Sequence, residues 1–415
     1  MQKEQKITLY TKFYALSMVL YVLAMYDVTW LSYSLSFRAI RIFITIVCLI
    51  KMSQNATIMI RKQSLPLLLL FIYCMYSMIV THSGDKYVFI KYVALFISMT
   101  SIIMLTKEER LFLLKLLTNV FVVILSISLF GWFLFLLGFN LPHSGLIYHW
   151  NGFHEYYNYY LFRIAAASME SEFMPRFQSV FLEPGQLGTP CVFLLFLNLL
   201  EDKMWKFKNI VLLLAILFSF SLISYGLLLI VFLSISWFKG SRYRVLLTMM
   251  TVVLLGVIYY FVSYSDNAVN ALIISRLERD EEMVIVGNNR TASIFDLNYA
   301  SFIQSSNKYF GIHDELSSGY NWTNNSSGYK KFIVHEGIVG LVLFMGLIIA
   351  LFLKNRNIKT FVFFAILVMA FFVRNLLQNP LWLSIAILGF YSIGDDKKLL
   401  SQPYDIQVEN KLIYN

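Results

Sequence analysis

Apolar stretches of near-membrane length recur along the whole chain, and that recurrence limits what it can fold into more than any other feature. They fall at 13–31, 36–51, 64–81, 87–105, 111–139, 186–200, 207–221, 224–238, 245–263, 333–353, 360–375 and 379–394. A helix needs about 20 apolar residues to cross a hydrocarbon layer of about 30 Å, where its backbone must satisfy its own hydrogen bonds. Twelve such runs in 415 residues leave little polar surface to face water. Composition agrees, with 58% hydrophobic and 14% charged residues against roughly 25% charged in a soluble domain. The expectation is one all-α, polytopic integral membrane domain, residues 1–415, with about 12 transmembrane helices.

Charge distribution orients this bundle. The opening MQKEQKITLYTK is too polar for a secretory signal, so the first apolar run is expected to stay as a span. With the N-terminus cytoplasmic, the tails and the stretches KMSQNATIMIRKQ, TKEER, EDKMWKFK, FKGSRYR and KNRNIK fall inside and hold 20 of the 34 Lys and Arg. That inside-positive bias predicts both termini in the cytoplasm, and it explains the net charge of +10 without a nucleic-acid partner. Cys48, Cys74 and Cys191 all fall in predicted spans, where they are expected as small core residues; no thiolate metal site can be built from them.

Two long loops, 140–185 and 264–332, then face outward. Both are expected to fold onto the membrane surface with short amphipathic helices. The first is aromatic, as in YHWNGFHEYYNYY, and the second contains SIFDLNYASFIQSSNKYF, whose apolar spacing suits such a helix.

Candidate chemistry gathers where these loops meet the bilayer. In RFQSVFLEPGQLG, Pro184 disfavours helix at Glu183 and Gly185 lets the backbone turn, which places a fixed carboxylate before a span. Glu183 is then a general base, a partner of Arg176, or a favourable charge at a helix N-terminus. Arg290, His313 and Tyr320 lie in the second outer loop among turns and rings that suit a hydroxyl-rich ligand. Arg38, Arg41, Lys91 and Arg374 sit near outer span ends, against the inside-positive bias. Arg38 and Arg41 share a helical face, from which guanidinium groups can grip a phosphate headgroup or snorkel to the interface. Charges deep in the spans are nearly absent, which argues against a proton- or ion-coupled transporter, and no Walker A, HExxH or GxSxG motif occurs.

The stretches MPRFQSVFLEPGQLG, FSLISYG, NNRTASIF followed by YFGIH, and HEGIVGLVLF occur in an order that resembles the O-antigen polymerase (Wzy) branch of the bacterial polysaccharide polymerase and O-antigen ligase superfamily. Arg176, Glu183 and Arg290 match positions where such proteins keep an arginine, an acidic residue and an arginine. Where the ligases carry a His-Asn pair before G-x-x-G, this chain has Ser326 and Ser327 leading to Gly337 and Gly340, which favours polymerase over ligase.

The resemblance implies a metal-independent glycosyltransferase in the cytoplasmic (inner) membrane. It would transfer a growing glycan from undecaprenyl pyrophosphate to the next lipid-linked repeat unit on the outer face, with no cofactor. Membrane lipid and a chain-length regulator protein are the expected partners. Arg176 and Arg290 would hold pyrophosphate, Glu183 would act as base or orient Arg176, and Arg38 and Arg41, with His313 and Tyr320, would contact the substrate. A ligase, another lipid-carrier glycosyltransferase and a lipid-linked glycan flippase remain the alternatives.

Overall fold

The computed structural model describes residues 7–26, 37–80, 86–149, 154–166, 175–201, 204–239, 293–312 and 328–395. Among them the chain is mostly helical, with twelve α-helices. The first five are α1 (Leu9–Ala24), α2 (Phe37–Lys62), α3 (Ser64–Val80), α4 (Lys86–Ile103) and α5 (Lys107–Leu136). After the first outer loop come α6 (Pro184–Glu201), α7 (Phe207–Phe218) and α8 (Leu222–Lys239). The last four are α9 (Ser293–Gln304), α10 (Gly328–Lys354), α11 (Ile358–Val373) and α12 (Pro380–Asp395). In their described residues, eleven of the twelve apolar runs coincide with these helices; the run at 245–263 lies outside the described residues.

Three helices, α5, α8 and α10, are long and apolar enough to cross a membrane by length and composition. Phe130, Leu233 and Val342 lie on their outer surfaces, each more than half exposed. Helices that are apolar on the outside as well as the inside suit a lipid surround rather than water.

The core is organised around α12. From Leu381 to Ile393 its apolar side chains are nearly inaccessible, and it packs against α1, α4, α5, α6, α10 and α11. Helix α6 is buried almost as fully, although Pro190 stands inside it. A proline removes one helical N–H, which strands the carbonyl of Gln186 four residues earlier. The Tyr26 hydroxyl donates to that carbonyl at 2.7 Å and in turn accepts from Trp382 Nε1 at 2.7 Å. The break in α6 is thereby closed by α12 and the end of α1.

Helix α10 is two helical pieces joined at Gly337, whose φ of 67° and ψ of 178° belong to a region that only glycine enters readily. A break of this kind leaves backbone groups without partners. The segment after α9 supplies them: Ile312 N–H donates to the Val334 carbonyl at 2.7 Å, and Val339 N–H donates to the Tyr309 carbonyl at 3.1 Å.

The first outer loop departs from expectation. Its described residues form a three-stranded antiparallel sheet, β1 (Leu146–His149), β2 (His154–Asn158) and β3 (Arg163–Ala165), which the expectation did not include, so the fold is not strictly all-α. In β2 the adjacent Tyr156 and Tyr157 point to opposite faces of the sheet, so the strand carries no clean apolar-polar alternation in the sequence. Phe162 packs on Gly131, and Ser128 Oγ of α5 donates to the Leu161 carbonyl at 2.6 Å, which seats the sheet on the end of α5. The second outer loop does contain the expected helix: α9 buries Phe295 and Phe302 against Ile333 and Val334 of α10 and leaves Leu297 exposed.

Candidate functional site

At one end of the bundle, the last turn of α1, the first turns of α2, α4 and α10 and the start of α12 surround a cavity of about 310 Å³. Its wall is completed by a 3-10 turn, Asn375–Gln378, that links α11 to α12. These are the helix ends that the charge bias assigns to the outer face. Three cations, Arg41, Lys91 and Lys331, line the cavity, and none of the described lining residues is acidic. Tyr21, Tyr92, Gln378 and Asn379 add polar groups.

The polar wall is held from behind. Tyr73 donates to Gln378 Oε1 at 3.0 Å, and Asn379 Nδ2 donates to the Met25 carbonyl at 3.1 Å, so the 3-10 turn is tied to α3 and α1. Tyr92 donates to Glu336 Oε1 at 3.0 Å, and Ser77 donates to Oε2 at 2.7 Å. Tyr76 donates to the backbone carbonyl of Glu336 at 2.6 Å. Glu336 is 3% exposed and stands next to the Gly337 break of α10. Lys91 Nζ lies 4.9 Å from the centre of the Tyr92 ring.

Arg374, immediately before the 3-10 turn, forms an ion pair with Glu183, the residue that precedes α6. The carbonyl of Glu183 accepts from Gln186 N–H at 3.0 Å, so Glu183 caps α6 with Pro184 in the first helical position, as Pro favours. Gly185 explains the rest of the motif: a Cβ there would collide with the Arg374 guanidinium. The glycine thus makes room for the cation that meets Glu183. The glutamate side chain is 29% exposed and its partner 16%, so the pair remains open to the water at this end.

Arg176 is engaged with backbone. Its Nε and Nη2 donate to the carbonyls of Ser219 and Phe220 at 3.2 and 2.8 Å, and Phe177 N–H donates to the Phe218 carbonyl at 2.8 Å. Phe220 has a φ of 44°, and Arg176 holds the turn between α7 and α8 in that conformation. Two of the sequence stretches, RFQSVFLEPGQLG and FSLISYG, are therefore one structural unit. HEGIVGLVLF and YFGI form a second, joined across the α10 break.

Of the residues singled out in the sequence, Arg41 lines the cavity, Arg38 is exposed one turn before it, and Glu183 pairs with Arg374. Arg290, His313 and Tyr320 lie outside the described residues. Sequence reasoning missed Lys331 and the buried carboxylate of Glu336. The signal for Lys331 was present, a second basic residue placed like Lys91 at an outer helix end. Glu336 was hidden because it lies one residue inside a break that hydropathy alone does not reveal. In the first outer loop, burial and the neighbouring Tyr157 push the Tyr159 phenol up, so it adds no negative charge to this end near neutral pH. Among the described residues no group of three His, Cys, Asp or Glu could hold a metal ion.

The fold and the site define a helical bundle with an apolar exterior and a basic cavity at one end. Comparison with protein-family models, curated proteins and solved structures finds no match to this chain.

Proposed function

We propose that the chain is a membrane-embedded polysaccharide polymerase of the O-antigen type, with about 12 spans and both termini in the cytoplasm. It would act at the outer face on undecaprenyl-pyrophosphate-linked repeat units, transferring the growing glycan to the next unit. The observation that carries this reading is the cavity lined by Arg41, Lys91 and Lys331, with no acidic lining residue among those described, where the predicted outer helix ends converge. Cations held in a low-dielectric wall suit a diphosphate and stabilise charge on a departing one. A pyrophosphate is already a good leaving group, so the further need is a group to activate one acceptor hydroxyl.

Glu183 is the nearest candidate for that second role, with a change of emphasis. A carboxylate paired with an arginine is a poor base, because the cation favours its charged form. In this state Glu183 orients Arg374; it becomes a base only when Arg374 turns to a phosphate. Arg176 supports the turn between α7 and α8, while Arg290 remains the loop arginine proposed to hold pyrophosphate.

The test is a surface-glycan ladder comparing the intact gene, a clean deletion and Arg290→Ala at verified membrane levels. The polymerase reading expects deletion to leave single repeats attached, and Arg290→Ala to do the same. Long chains left unattached would instead indicate a ligase, and loss of every repeat a flippase.

A further inference from the structure

Three cations that line one cavity repel one another. Arg41 and Lys91 interact unfavourably, since both are positive and both line the same wall. Such charges are tolerated in a low-dielectric setting when a counter-charge lies close by. Among the described residues no carboxylate lines the cavity, but one stands directly behind it. Glu336 accepts from Tyr92, itself a lining residue, and from Ser77, and it interacts electrostatically with Lys91. Gly340 leaves room for it, since a Cβ there would press on the Glu336 Cβ and the Tyr76 ring.

We infer that Glu336 is the internal counter-charge of this cavity, fixed to its wall through Tyr92, and that it holds anion affinity down to a level from which a phosphate-bearing ligand can leave. The inference rests on the reading of the cavity as an anion site. It assigns Glu336 an affinity-setting role rather than contact with the ligand. A carboxylate that only caps the second half of α10 would act in the opposite direction, because its loss would loosen the wall and weaken binding.

The sign of the effect therefore decides. The full chain is purified into phosphatidylcholine nanodiscs and titrated with inorganic pyrophosphate by calorimetry. Glu336→Gln keeps an acceptor and a donor for Tyr92 and Ser77 while removing the charge. It is expected to tighten pyrophosphate about tenfold, the effect of one unit charge about 12 Å away at an effective dielectric of about 20. Lys91→Gln is expected to weaken it by about the same factor. The double variant Glu336→Gln/Lys91→Gln should return to within about twofold of the original chain, as charge compensation requires. It also provides the test if Glu336→Gln does not fold alone.

Doping the nanodiscs with phosphatidylglycerol separates the two sources of phosphate. Equal tightening of lipid and free diphosphate in Glu336→Gln supports a site for the shared phosphate group, and tightening of the lipid alone supports a site for a bilayer phosphodiester. An affinity unchanged or weaker for both pyrophosphate and lipid in a folded Glu336→Gln, or a double variant as weak as Lys91→Gln, overturns the role of Glu336. If the original chain, Lys91→Gln and Lys331→Gln all fail to bind pyrophosphate or lipid phosphate, the anion-site reading falls and the inference with it.

Discussion

Single residues in this protein repair what other residues break. Pro190 strands a carbonyl in the buried part of α6, and Tyr26 satisfies it with a hydroxyl that Trp382 orients. An unsatisfied buried carbonyl costs about 1–3 kcal/mol. Tyr26→Phe is expected to lose about that much stability, read as a lower thermal midpoint of the purified protein. A midpoint equal to that of the unaltered chain would mean that water or relaxation of α6 satisfies Gln186 instead. The opening motif of this region was partly legible for the same kind of reason. Pro184 and Gly185 announce a helix start from local chemistry alone, and Glu183 does cap α6. That Glu183 meets Arg374 rather than a sequence neighbour was not legible, because the two are brought together only by the packing of α6 beside α11.

Elements show where apolar patterning informs and where it misleads. Hydropathy located eleven helices because each apolar run must bury or face lipid along its whole length. It could not locate the break at Gly337, since hydropathy registers apolar content and not backbone conformation, nor the sheet in the first outer loop, where adjacent aromatic residues such as Tyr156 and Tyr157 blur a period-2 pattern. The α10 break is the more consequential, because it sets Glu336 behind the cavity and docks the second outer loop by two backbone hydrogen bonds. Gly337→Ala forces a Cβ into a backbone region that costs about 1–3 kcal/mol for other residues, and against the Tyr309 carbonyl. The expected result is faster protease cleavage between 304 and 328 with the bundle intact. An unaltered cleavage pattern would show that the two halves of α10 do not need this geometry to hold the loop.

At the scale of the whole molecule, the two ends of the bundle differ in kind. At the cavity end three cations line the cavity with no acidic lining residue among those described, whereas at the other end a buried lysine is paired with a carboxylate. There Lys51, 3% exposed, pairs with Glu109 at 2.5 Å, and both meet Thr11. Arg110 lies 4.2 Å over the Tyr391 ring, whose hydroxyl donates to Gln63. The alternation of helix directions that the charge bias predicts is consistent with this division, and it gives a direct test of orientation. The native cysteines are buried, so an introduced thiol can be labelled over a low background. His143→Cys should react with a membrane-impermeant maleimide added to intact cells, and Ser53→Cys only after the membrane is opened. The reverse pattern would put the cavity on the cytoplasmic side and contradict the proposed reaction at the outer face. The convergence of these helix ends on one cavity was not legible in the sequence, since it depends on which helices neighbour α12.

The central claim is that the basic cavity carries out glycan polymerisation, and its most direct test is a glycan ladder from a deletion strain that expresses Lys91→Gln/Lys331→Gln at the normal membrane level. Loss of two of the three lining cations should remove charge-assisted phosphate contacts each worth about 1.5–3 kcal/mol, enough to shorten the ladder to one or a few repeats. A full-length ladder from that variant would contradict the account.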